Sequence, residues 1–373
     1  MIELDAILKE LVGRRGSDLH LKVGRPPLMR IASDLLPSEF PPLDEASMEA
    51  ILKKLLGEDG WKRLLEDFEL DSAYELPGLA RFRLNAFKER GLFGVAMRVI
   101  PLTTPTIDGL GHPAVLKDIC QSPQGLVLVT GPTGSGKSTT LAAMITHIND
   151  TQPLHIVTIE DPIEFIYTDK MSTIRQRQLG NDVKSFAEAL RRVLRQDPDV
   201  ILMGEMRDPE TIELAMHAAE TGHLVFSTLH TNDAKQTVDR IISTFPTDAH
   251  AQVRAQMALS LRAVVSQRLV RREDGSGRVA SMEVMINSPN IRELIQEGKT
   301  SGIDKVMSAS GDYYRMQTFN QSLARLVMDK VVSESEALGS STNPGDLKLS
   351  LKGIQGGGHA TETRPAMKVS KGF

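Results

Sequence analysis

Two spacings of apolar residues divide the chain. From Ser17, apolar positions recur at every second residue: in SDLHLKVG, Leu19, Leu21 and Val23 share one face and His20 falls on the other, the pattern of a half-buried strand. ARFRLNAFKE and GVAMRVIP repeat it. Earlier, SMEAILKKLLGEDGWKRLLEDF has helical spacing, as does the N-terminal MIELDAILKELVGRRG, where Ile2, Ala6, Leu8 and Leu11 or Val12 form one stripe. Residues 1–100 therefore predict a small α+β domain.

The stretch PLTTPTIDGLGHP, residues 101–113, gathers prolines, glycines and threonines and predicts a linker. Beyond it the apolar runs LVLVT, HIVTIE, VILMGE and HLVFSTLH alternate with helical patterns, as βαβ units do around a parallel sheet buried on both faces. This α/β core is expected over 114–268, a mainly helical subdomain over 269–337, and over 338–373 a mobile tail rich in Gly, Ser and Thr, ending in GGGHATETRPAMKVSKGF.

Composition removes several alternatives. The 373 residues carry a net charge of -4 with no long basic block, which argues against a nucleic-acid partner. One cysteine, Cys120, provides neither a disulfide framework nor a multi-cysteine zinc site, and is expected as a packed residue in a reducing compartment. Apolar runs fall short of the roughly 20 residues of a membrane span, and the N-terminus does not resemble a signal peptide. A cytoplasmic protein without membrane insertion is expected.

The chemistry concentrates where the core pattern breaks. LVLVTGPTGSGKSTTLAAM has the form strand, G-x-x-x-x-G-K-[ST], helix, the signature of a phosphate-binding loop. Gly131, Thr133, Gly134, Ser135, Gly136, Lys137, Ser138 and Thr139 are the expected contacts to ATP, with Lys137 on the β and γ phosphates and the Ser138 hydroxyl on Mg²⁺. HIVTIEDPIEF ends its strand at Glu160 and Asp161, and Pro162 throws Glu164 onto a loop beside the phosphates. Glu164 is the candidate base for an attacking water, with Glu160 or Asp161 as rivals. DVILMGEMRD ends on Glu205, a candidate to hold Mg²⁺ through a water. Thr228 and His230 are expected on the γ-phosphate side. His217, His223 and His230 do not match short zinc spacings. Arg81 and Arg83 would emerge together from one strand face as a phosphate clamp, with Phe82 and Leu84 buried opposite. Ser185 with Glu188, Asp208 with Pro209, and Ser288 or Asn287 with Pro289 mark helix starts, and Gly222 and Gly298 helix ends.

Together GPTGSGKSTT, TIEDPIEF, VILMGEMRD and AAETGHLVFSTLHT resemble the secretion-ATPase superfamily, with its Walker A, Asp box, atypical Walker B and His box in order. With SDLHL, RFRLNAF and NIRELIQEG, the chain from about residue 1 to about 335 resembles the type IV pilus retraction ATPases of the PilT group. The resemblance implies a PAS-like first domain, a RecA-like second domain, and a homohexamer in the bacterial cytoplasm. It implies docking on the inner-membrane pilus platform, possible association with other pilus motor ATPases, and ATP hydrolysis that drives pilus disassembly and twitching motility. It assigns Glu164 as catalytic glutamate, Glu205 as Walker-B glutamate, and His230 with His223 as the His box. It also implies that Arg81 and Arg83 reach a neighbouring subunit's nucleotide. NIRELIQEG matches the AIRNLIRE signature with Asn290, Glu293 and Gln296 as departures, and implies a role in retraction for Arg292 and Glu297. NPGDLKLSLKG resembles the accessory PilU-like motors, whereas GEMRD points to the main motor. A pilus or type II secretion assembly ATPase is disfavoured by the missing cysteines, a nonhydrolytic switch by intact Lys137, Glu164 and Glu205, and a DNA translocase by the missing basic stripe.

Overall fold

A computed structural model describes residues 3–31, 34–100 and 103–353. The first unit runs α1 (Leu4–Gly13), β1 (Asp18–Lys22), β2 (Leu28–Ile31), β3 (Asp34–Pro37), α2 (Glu45–Asp67), β4 (Glu69–Leu76), β5 (Ala80–Glu89) and β6 (Leu92–Ile100). Its strands form a six-stranded antiparallel sheet in the order β3-β2-β1-β6-β5-β4. The alternation seen in the sequence is the alternation of its faces. Leu19, Leu21, Phe82, Leu84, Val95 and Met97 point inward and pack with Leu4, Ile7, Leu8 and Leu11 of α1 and Met48, Ile51, Leu52 and Leu55 of α2. The buried stripe of α1 is thus 4, 7, 8, 11, and Ala6 is exposed; Ile2 lies outside the described residues. In α2 the Asp44 carboxylate accepts from the Ser47 amide, and the helix kinks at Gly57 (φ 68°).

The second unit continues with α3 (Val115–Cys120), β7 (Gly125–Thr130), α4 (Lys137–Thr151), β8 (His155–Glu160), β9 (Thr173–Gln178), α5 (Phe186–Val193), β10 (Val200–Met203), α6 (Pro209–Glu220), β11 (Leu224–Leu229), α7 (Ala234–Ser243), α8 (His250–Ser260), β12 (Leu261–Arg271) and β13 (Arg278–Ile286). Six helices follow: α9 (Pro289–Glu297), α10 (Ile303–Ala309), α11 (Gly311–Tyr314), α12 (Phe319–Met328), α13 (Glu334–Ser340) and α14 (Pro344–Leu351). The seven-stranded sheet has the order β13-β12-β7-β11-β10-β8-β9. All its neighbours are parallel except the edge pair β12–β13. The caps fall where their residues suggest: Ser185, Asp208 and Ser288 each accept from the amide three residues on. Cys120 is buried in the core, and burial pushes its thiol well above its ordinary value.

Three expectations about organisation change. A helical character beginning at Arg268 does not hold, because β12 runs through that residue and pairs along its length with β13. The segment after β6 is not loose, since Ile107 is buried in the second core and His112 bonds to α4. Part of the expected tail is folded: Leu347 of α14 buries with Ala337 of α13 against Val270, Leu323 and Val332 in a small third core. GGGHATETRPAMKVSKGF lies outside the described residues.

Candidate nucleotide site

The carboxyl ends of β7, β8, β10 and β11 open onto a cleft of about 580 Å³. Thr133, Gly134, Gly136, Lys137, Ser138 and Thr139 line its floor, Glu160, Asp161, Glu164, Glu205, Thr228 and His230 line its core-side wall, and Arg83 and Arg98 face them from the first unit. A second concavity of about 610 Å³ beside α5, lined by Arg177, Lys184, Glu188 and Arg192, meets none of these strand ends.

The loop between β7 and α4 has the form the phosphate motif demands. At Gly131 (φ 144°), an added Cβ would stand 2.4 Å from the Gln267 carbonyl oxygen and 2.6 Å from Ser135 Oγ, so a side chain is excluded by space as well as by backbone conformation. Gly136, at φ 88°, starts α4 and sends Lys137 back over the loop. Lys137 Nζ donates to the carbonyls of Gly131 (2.9 Å) and Pro132 (3.2 Å) and lies 3.4 Å from His230 Nδ1. Burial holds its pKa below the ordinary value, against the opposing pull of Glu205 and Glu164. Gly131 and Ser135 shape the loop from behind and do not line the cleft.

The acidic residues divide by environment. Glu160 is buried; its Oε1 accepts from Thr158 Oγ1 (2.6 Å) and Gln176 Nε2 (3.2 Å). Burial outweighs those bonds and raises its pKa. Gln176 also donates to the Phe165 carbonyl and accepts from the Tyr167 amide, so Glu160 braces the loop that carries Glu164. Glu164 itself is exposed in the cleft. Glu205 sits two residues past β10, paired with Arg207 (2.8 Å) and with His230 Nε2 (3.3 Å). His230 therefore bridges Lys137 and Glu205.

Several expected site residues lie elsewhere. His223 is at the amino end of β11, about 20 Å along the strand from His230, where its Nδ1 meets the Ala218 carbonyl at 2.9 Å. Sharing a strand does not bring two residues to one sheet edge, so His223 does not belong to this chain's cleft. Thr228 lines the cleft, but its hydroxyl donates to the Gly204 carbonyl (2.7 Å) and ties β11 to the β10 turn. Arg81 and Arg83 do share a strand face, with Phe82 and Leu84 buried behind them, yet only Arg83 lines the cleft. Arg81 lies 3.9 Å from Glu75.

The second arginine in the cleft is Arg98, which sequence reasoning missed. Sheet register sets it directly opposite Arg83 on one side and Asp18 on the other. Arg98 Nε donates to Asp18 Oδ1 at 2.8 Å, and Arg30 lies 3.7 Å from Asp18 Oδ2. Burial raises the Asp18 pKa, but hydrogen bonds from Ser17 and Arg98 outweigh it and hold the carboxyl below its ordinary value. The available signal was the alternation in GVAMRVIP, which exposes Arg98 between inward-facing neighbours. Arg83 faces the phosphate loop of its own chain.

A family model described as "Type II/IV secretion system protein" matches residues 111–339. The chain belongs to this family, in its PilT group. It is 46% identical over 321 residues to the type IV pilus retraction ATPase PilT of Pseudomonas aeruginosa, covering 86% of this chain and 93% of that one. PilU, a type IV pilus ATPase of the same organism, is 39% identical over 351 residues, with 94% and 92% covered. A crystal structure of the pilus retraction motor PilT with bound ADP superposes with a TM-score of 0.88 at 42% identity, covering 93% of this chain and 99% of that one. The family model begins past the first sheet, whereas the matches to PilT, to PilU and to the solved structure are too long to be confined to the second unit and take in part of the arginine-bearing first unit. Among the described residues no helix is long and apolar enough to cross a membrane.

Proposed function

We propose that this protein hydrolyses ATP to power retraction of a type IV pilus, and with it twitching motility. The observation that carries the reading is one cleft in which a phosphate loop, two carboxylates at strand tips and two arginines of the other unit converge, in a chain 46% identical to a PilT across nearly all of that relative's length.

In this reading the loop amides and the amino end of α4 hold the β and γ phosphates, and Lys137 spreads their charge. Oxygen ligands suit Mg²⁺. The Ser138 hydroxyl and the Glu205 carboxylate, the latter through a water, would hold the ion, which neutralises phosphate charge when it is bound. Glu164 accepts a proton from the water that attacks the γ phosphorus; the bond to the β,γ-bridging oxygen breaks, and ADP and phosphate result. Arg83 and Arg98 stabilise the charge on the transferring oxygens. His230 holds Lys137 and Glu205 in register. The protein acts as a homohexamer in the bacterial cytoplasm, docked on the inner-membrane platform of the pilus, and the first unit's arginines couple hydrolysis to movement of that unit.

Deletion of the gene tests this. Cells that keep or over-accumulate surface pili but no longer twitch support retraction, and loss of surface pili overturns it. A Glu164→Ala protein that hydrolyses ATP at the parent rate would overturn the assignment of the base. A second reading, an accessory motor, is favoured by the PilU match, which spans 94% of the chain. It requires that the gene restore retraction only beside a second motor.

A further inference from the structure

We propose that Gln267 is a positioning residue for the phosphate loop, and that the segment joining the two units adjusts nucleotide affinity through it. The inference rests on the nucleotide-hydrolysing reading of the cleft. Gln267, on β12, is 1% exposed. Its Nε2 donates to the Ser135 carbonyl at 2.5 Å, and its Oε1 accepts from Thr140 Oγ1 at 2.8 Å. A hydroxyl has one proton. Having given it to Gln267, Thr140 can only accept from His112, whose Nε2 lies 3.0 Å away. The donors therefore run one way, from His112 through Thr140 and Gln267 to Ser135. Burial lowers the His112 pKa to about 4, so the ring is neutral at pH 7, and its single N–H must be on Nε2.

The far end of this relay is the informative one. A peptide unit is planar and trans, so its C=O and its N–H point in opposite directions. The Ser135 carbonyl belongs to the same unit as the Gly136 amide. Gln267 grips the back of that unit and aims the Gly136 N–H into the concavity of the loop. Consistently, Gly136 lines the cleft and Ser135 does not. The near end belongs to the segment that leads from β6, the strand of Arg98, into the second unit. Displacement of the first unit pulls on His112, and the relay carries that displacement to the loop.

The test uses the full-length protein and two measurements, equilibrium binding of ADP with Mg²⁺ and steady-state ATP hydrolysis. Thr140→Val preserves shape and removes the hydroxyl, leaving buried polar groups unpaired, and is expected to weaken ADP binding and raise the KM for ATP about tenfold with kcat within about twofold. Thr140→Ser keeps the hydroxyl and should return both values to within about twofold of the parent, which loss of packing alone would not do. His112→Ala should weaken binding about threefold, and the double variant should bind no more weakly than Thr140→Val, because both changes cut one relay. Parent-like binding by Thr140→Val, equal losses in the Val and Ser variants, or independent multiplication of the two losses would each overturn the proposal. A parent that binds no nucleotide would instead bring down the proposed function.

Discussion

The charged residues that reach the cleft from the first unit sit in the middle of strands, on the outer face of an antiparallel sheet. Those of the second unit sit just past the ends of strands. The difference follows from burial. The first sheet packs one face on α1 and α2, and its other face is free to carry the row Arg30, Asp18, Arg98 and Arg83. The second sheet is covered on both sides, β7 and β11 being buried at every position, so its charged cleft residues Glu164, Glu205 and His230 appear where the strands stop. One sheet contributes a surface, the other an edge, and the cleft lies where they face each other. What this teaches is that a group in the first sheet is located by its register with its neighbours, and a group in the second by which end of its strand it occupies.

That contrast can be broken in order of effect. Glu164→Gln, at the edge of the second sheet, should cut the hydrolysis rate by about 10²–10⁴-fold, with nucleotide binding retained, as measured by phosphate release and ADP titration. Next comes a charge placed inside the second unit against the rule of that sheet. Glu283 of β13 is buried and accepts from the Ala234 amide. Burial, reinforced by Asp233 and Asp304 and opposed by that bond and by Arg268, pushes its pKa from 4.5 to about 7. Between those values the folded chain keeps a proton that the unfolded chain releases, so stability falls as pH rises through the window, by up to about 3 kcal/mol. Glu283→Gln keeps the acceptor and should be more stable than the parent at pH 8 and no more stable at pH 4, measured by denaturant unfolding at both. His112 has the opposite trend, its contribution being lost as pH falls from 6.5 towards 4, and it cancels in that comparison.

Arg83→Ala and Arg98→Ala should each lower kcat/KM by about 10- to 100-fold. Asp18→Asn should cause a smaller loss, because it releases Arg98 without removing it. The smallest effects sharpen the rule. Arg81→Ala and His223→Ala should hydrolyse ATP within about twofold of the parent. A large loss in either, seen only in the assembled ring, would mean that a neighbouring subunit uses what this chain's own cleft does not.

The parts legible in the sequence were the local ones. The phosphate loop, the capped helices and the strand tips at Glu164 and Glu205 depend on residues a few positions apart, and the sequence shows those directly. Arg98 and Asp18 meet across a separation of 80 residues, through a register that no local pattern specifies. His223 enters the expected site only through the family resemblance; the strand pattern itself sets it at the opposite end of β11 from His230. The hairpin of β12 and β13 is not legible locally, because its apolar run gives way to RREDGSGR and its partner strand lies beyond that turn. The helix α14 was hidden by Gly- and Ser-rich surroundings, although Leu347 buries completely. Gln267 carried no motif at all; its role arises from tertiary proximity.

Strand β12 has an unusual density of duties. Ser266 meets the Thr130 hydroxyl, Gln267 the loop carbonyl, Arg268 the Ser340 carbonyl and the ring of Phe319, Leu269 lines the cleft, and Val270 packs beneath the last helices. Five successive side chains thus have five unrelated addresses. Inserting one residue before Ser266 would exchange every address at once, whereas the same insertion among Asp274, Gly275 and Ser276, at the hairpin's tip, would merely lengthen an exposed turn. A change in length is therefore expected to be tolerated only at that tip, and the strand behind it acts as a ruler whose marks cannot slide.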